Sequence, residues 1–91
     1  ERQEVIQADI NLAELRGENG ESEQAVSALQ ALAEDARKRD WPGWAMEAEL
    51  AQMRVLLRSG DHARAEAIRA RIIAEARQKG FAWVLQRAPP L

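Results

Sequence analysis

Cysteine is absent from this chain, so neither a disulfide nor a thiolate metal site can form, and the redox compartment is left open. Histidine occurs once, at position 62, which removes His–His metal spacing and a His–Cys dyad. The plain reading of His62 is a solvated residue in the first turn of a helix. No apolar run approaches the roughly 20 residues of a membrane span, and no signal-peptide pattern is present. No glycine-rich phosphate loop occurs, since Gly17 and Gly20 fit neither standard spacing. Ser22, Ser27 and Ser59 lack the context of an activated nucleophile. Glu47 and Glu49 stand two residues apart, so on a helix they point in different directions rather than forming a carboxylate pair. These absences argue against an enzyme and against a cofactor.

What remains is a chain of 91 residues, rich in Ala, Leu, Glu and Arg and poor in β-branched residues. That composition favours helix and suits one small domain, expected in the cytoplasm. A chain this short buries only about 60–70% of its unfolded surface, so its core is marginal. It opens on Glu1 within a helix-like pattern, which reads as an excised piece of something longer. Charge is divided unevenly. Residues 1–36 carry nine acids against Arg2 and Arg16, whereas residues 37–91 carry eleven Lys and Arg against six acids. Such a split points to interaction surfaces.

Four segments have helical periodicity. The first, about 2 to 16, has one stripe of Val5, Ala8, Leu12 and Leu15 and a second of Ile6, Ile10 and Ala13. The next, about 22 to 38, has a stripe of Ala25, Ala28, Leu29, Leu32 and Ala36. Another, about 42 to 58, again has two: Ala45, Ala48 and Leu56, then Met46, Leu50, Met53 and Leu57. The last, about 62 to 78, turns Ala65, Ile68, Ile72 and Ala76 inward. Gly20 and Gly60 supply tight reversals, and Asp61 and Glu21 or Ser22 suit helix starts. Short loops make sequential helices antiparallel neighbours.

"GESEQAVSALQALAEDARKRDW" (20–41) aligns with "GDHARAEAIRARIIAEARQKGF" (60–81) at an offset of forty: Gly20 with Gly60, Ala25 with Ala65, Leu32 with Ile72, Trp41 with Phe81. Upstream, Ala8 and Ile10 match Ala48 and Leu50. The expected architecture is all-α, two tandem antiparallel helical hairpins (1–40 and 41–80) with a short capping helix in 81–91. In "RKRDWPGW", Trp41 then closes a helix end and Pro42 opens the next helix, which reads as punctuation rather than as an aromatic ligand cage. Trp44 falls on a third side with Ala51 and Val55 and suits either core or a binding surface.

Gly60-Asp61 with Ala65, and Gly20-Glu21 with Ala25, resemble the inter-helix turn and small second-helix residue of the tetratricopeptide-repeat family. The repeat here is about forty residues against the family's thirty-four, and first-helix aromatics and closing Pro are out of register. The closer resemblance is to longer, degenerate repeats of this type in large bacterial signalling and transcription regulators. "RQKGFAWVLQRA" resembles the end of such arrays. The resemblance implies a solenoid for protein–protein interaction or assembly. The alternative is a small helical ligand-sensing or nucleic-acid-binding domain.

A partner protein or peptide is expected on the narrow polar strip of the first and third helices: Gln7, Asn11, Glu14, Trp44, Glu47 and Arg54, with Ala51 among them. The plainer reading is a solvated strip. Self-association as a homodimer is expected through an alanine ridge, Ala63, Ala67, Ala70 and Ala74, with Trp83 exposed or used by a neighbour. Nucleic acid is disfavoured: Arg64, Arg69, Arg71, Arg77 and Lys79 point around several sides of their helix and are interrupted by Glu66 and Glu75.

Overall fold

The computed structural model describes residues 3–88. It contains α1 (Gln3–Glu18), α2 (Ser22–Lys38), α3 (Pro42–Ser59), α4 (His62–Lys79) and α5 (Ala82–Arg87), with no strand among the described residues. The expected first residue of α1, Arg2, and positions 89–91 of the expected cap lie outside the described residues.

The helix ends recur every twenty residues. The backbone N–H of Glu21, Trp41, Asp61 and Phe81 donates to the carbonyl of Arg16, Ala36, Leu56 and Ala76 respectively, at 3.0, 2.8, 2.9 and 2.8 Å. The residue before each donor is left-handed: Gly20 (φ 91°), Asp40 (φ 58°), Gly60 (φ 87°) and Gly80 (φ 75°). This is a Schellman closure, in which the reversed residue lets the chain satisfy carbonyls the helix leaves open. Glycine takes that conformation without strain; Asp40 does not. Its left-handed backbone costs roughly 1–2 kcal/mol, of which glycine's extra unfolded-state entropy would offset about half. Asp40→Gly is therefore expected to stabilise the fold by about 0.5–1 kcal/mol, read as a raised thermal midpoint.

The following helices also start alike. Ala25, Ala45 and Ala65 donate to the carbonyls of Glu21, Trp41 and Asp61, and all three alanines are fully buried. A small side chain there lets neighbouring helices approach. At α4 the Asp61 carboxylate also accepts from the Arg64 N–H at 3.2 Å, while Pro42 stands in the first turn of α3.

α3 is the central element. α1, α2 and α4 all pack against it, and α2 and α5 also pack against α1 and α4 respectively. One core joins Ile6, Ile10 and Ala13 of α1 to Val26, Leu29 and Ala33 of α2 and to Ala45, Ala48, Ala51 and Val55 of α3. On the other flank of α3, Met46, Leu50 and Met53 meet Ile72 and Ala76 of α4 and Val84 of α5. At Gly17 an added Cβ would come within 2.9 Å of the buried Val55 side chain, so glycine permits the close contact of α1 with α3.

Three expectations are corrected. On α1 only the Ile6, Ile10 and Ala13 stripe is buried, whereas Val5, Leu12 and Leu15 are exposed. Both helices that contact α1 lie on one of its sides. Ala51, expected on the exposed strip, is fully buried in the core shared by α1, α2 and α3. Leu85, expected among the covering residues of the cap, is exposed, and α5 stops at Arg87 with Ala88 extended.

Candidate interaction surface

All three tryptophans of the chain converge on one open groove of about 500 Å³, lined by Trp41, Gly43, Trp44, Glu47, Trp83 and Arg87. Its position follows from the helix ends. The bond from Trp41 N–H to the Ala36 carbonyl holds that indole at the junction of α2 and α3, where it packs against the first core. The Arg39 guanidinium lies over its ring, 5.5 Å from the centroid. One turn into α3, Trp44 is half-buried against the same core, so it serves both as core and as groove wall. Trp83 approaches from α5. It stacks on Phe81 with centroids 6.2 Å apart, and it passes Gly43, where an added Cβ would stand 3.8 Å from the ring. Trp83 is thus turned back over the start of α3, half-buried, rather than projecting away from the cap.

Among the described residues, Glu47 and Arg87 are the two charged side chains that line the groove, and they bind each other. Arg87 donates to both carboxylate oxygens of Glu47, with the Nη2–Oε2 contact at 3.1 Å, and its guanidinium sits 5.5 Å over Trp83. The groove is therefore aromatic, with a self-neutralised ion pair on its wall.

The rest of the expected strip is laced together. Glu14 accepts from Arg54 Nε and Nη2 at 2.9 and 2.7 Å. These bonds raise the Arg54 pKa above the usual arginine value despite burial, so its charge persists throughout the accessible pH range. Arg58 approaches Glu18 at 3.7 Å. Gln7 donates to Asn11 at 3.0 Å, leaving Asn11 exposed at the edge of the strip. Glu14 with Arg54, Glu18 with Arg58 and Glu47 with Arg87 are each forty residues apart. The first two of these, with Glu23–Arg64 at 3.0 Å, tie the acidic first part of the chain to the basic second part. Much of the charge split is thus an internal complementarity.

The alanine ridge of α4 (Ala63, Ala67, Ala70 and Ala74) is exposed. The cations of the same helix are largely engaged: Arg71 with Glu49 at 2.6 Å, Lys79 with Glu75 at 3.7 Å, and Arg64 as above. His62 is exposed, and among the described residues no cluster of three or more His, Asp or Glu side chains could hold a metal.

Sequence reasoning missed the carboxylate of Glu49. Its side chain is 2% exposed, and it bridges Arg37 Nη2 at 2.7 Å and Arg71 Nη2 at 2.6 Å. Arg37 continues to Glu75 at 2.6 Å, and its hydrogen bond to Glu49 raises its pKa above the ordinary arginine value. The expectation that Glu47 and Glu49 diverge is met here: one rims the groove and the other lies inside.

In comparisons with known proteins, no family model matches this chain, and neither does any curated protein or solved structure.

Proposed function

We propose that the chain is a tetratricopeptide-repeat-like interaction module, two helical hairpins in tandem (1–40 and 41–80) closed by the cap in 81–91, and that it binds a protein segment in the tryptophan groove. Its setting on this reading is a larger cytoplasmic regulatory or signalling protein. The convergence of every tryptophan on one open groove carries the binding assignment, because buried aromatic anchors dominate protein interfaces. The repeat reading is supported by the twenty-residue recurrence of helix ends and the forty-residue offset of the ion pairs.

The groove's volume also falls within the range of small-molecule sites, which favours ligand sensing in that one respect. Its open side argues the other way, since small-molecule sites enclose most of the ligand. Nucleic acid is disfavoured by the net charge of −2 and by the pairing of the cations of α4.

Trp83→Ala is expected to weaken capture of a cellular protein partner at least tenfold, roughly the loss for a central aromatic anchor. Val84→Ala, which loosens α5 without touching the groove lining, serves as the control for cap stability. The combined Asn11→Ala, Glu47→Ala and Arg54→Ala variant probes the strip in the same binding assay. Capture that is unchanged by both Trp83→Ala and the triple variant would overturn the assignment.

A further inference from the structure

Among the described residues, the outer face of α1 exposes three of the four large hydrophobic side chains that stand in solvent: Val5 (43%), Leu12 (52%) and Leu15 (51%). With Ala8 they follow the 3-4-3 spacing of a helix–helix seam. Forty residues on, the corresponding positions of α3 are Ala45, Ala48, Gln52 and Val55, and all are at most 1% exposed. Ala45, Ala48 and Val55 share their core with α1 and α2, and Gln52 donates to the Val26 carbonyl and to Gln30. A face that this chain closes with its own helices in one place is open to water in the other. Beside it runs a groove of about 410 Å³ between α1 and α2, walled by Leu12, Ala28, Ala31 and Leu32. Its small α2 side chains leave room for inserted leucines. By contrast, the alanine ridge of α4 has no large side chain to bury.

We propose that a second copy of this chain docks on this face, with the two α1 helices antiparallel about a two-fold axis at the level of Leu12 and Ala13. Charge selects that occupant and that direction. Asp9 and Arg16 both line the groove, two helical turns apart on the same flank of the seam. In an antiparallel pair each Asp9 lies opposite the partner helix's Arg16 position, and the contact occurs twice. A parallel pair instead sets Asp9 beside the position of Glu4, acid against acid. The same patch thus complements itself, as a closed two-fold interface requires. This proposal is independent of the tryptophan groove, which lies at the α3–α5 end.

Sedimentation equilibrium of the 91-residue chain tests it. The wild type is expected to show a concentration-dependent monomer–dimer equilibrium, weakened modestly by salt because the ion pairs are exposed. Leu12→Glu with Leu15→Glu should be monomeric where the wild type is dimeric. Asp9→Arg and Arg16→Asp should each weaken the dimer roughly tenfold, and the double exchange should restore it. Circular dichroism on each variant separates lost association from lost folding. The charge exchange keeps the test decisive if the glutamate pair disturbs α1. A wild type that is monomeric at every concentration, a dimer indifferent to Leu12 and Leu15, an unrestored double exchange, or mass that grows without limit as in head-to-tail stacking would each overturn the proposal.

Discussion

Replacing Arg37 and Arg71 together by alanine is expected to destabilise the fold by about 3 kcal/mol, the low end of the range for stranding a buried charge. The Glu49 carboxylate is 2% exposed, and the two guanidiniums are its charged partners, at 2.7 and 2.6 Å. Truncating both leaves an anion whose desolvation is no longer offset. The low end applies because the arginine side chains are 38% and 56% exposed, so their removal also admits water. In a domain of this size the loss corresponds to a midpoint roughly 12–24 °C lower. The asymmetry of the network makes the expectation specific. Glu49→Gln removes the buried charge, leaves Arg37 paired with Glu75 and returns the half-exposed Arg71 guanidinium to solvent, so it should cost only about 1 kcal/mol. Adding Glu49→Leu to the double arginine variant should recover much of the loss, since a packed apolar side chain needs no partner. Urea unfolding of the four proteins checks the order. A double arginine variant as stable as Glu49→Gln would mean that Glu49 finds water without help from its partners.

That network marks where sequence reading ran out. A glutamate two residues from another glutamate on a helix looks solvated, and its partners Arg37 and Arg71 sit 12 and 22 residues away, spacings that no local rule flags. The helices themselves were legible because Gly20, Pro42, Gly60, Asp61 and Gly80 punctuate the chain at positions where backbone conformation or a missing N–H admits few alternatives. Periodicity found both apolar stripes of α1 but could not say which one meets a neighbour. It reports which side chains share a side, whereas burial depends on where other helices lie. The groove was half legible. Trp44 and Glu47 were placed on a binding strip, yet the direction of Trp83 depended on an indole crossing to Gly43, a contact outside any helical-wheel argument. Opposite charges at Glu14 and Arg54, Glu18 and Arg58, and Glu47 and Arg87 were visible at the offset already used to align the two halves. Extending that alignment from apolar to charged positions would have located the lacing of the strip and the polar rim of the groove.

Deleting residues 81–91 is expected to lower the unfolding midpoint markedly and to abolish binding in the groove. Val84 is fully buried against Met46, Leu50, Met53, Ile72 and Ala76, all of them large or closely packed core residues of α3 and α4. Removing the segment exposes that flank, and the loss should be at least about 2 kcal/mol, the transfer free energy of one fully buried valine. On the solenoid reading proposed above, α5 is the cover that a terminal repeat requires. Val84→Asp provides an independent route to the same state. A carboxylate at that position cannot stay buried without a partner, so α5 should undock rather than hold it in place. Once undocked, further disruption costs nothing more, and the two proteins should therefore lose nearly the same stability. Tryptophan emission distinguishes undocking from general unfolding. In Val84→Asp, Trp83 should pass into water and shift to the red while far-ultraviolet circular dichroism retains the signal of α1 to α4. Because Trp83 and Arg87 form the α5 side of the groove, binding should fail in both proteins, even below their melting temperatures. A deletion that melts with the intact chain would refute the role of α5 as a cover. Retained binding in the deleted protein would move the functional surface away from the tryptophans.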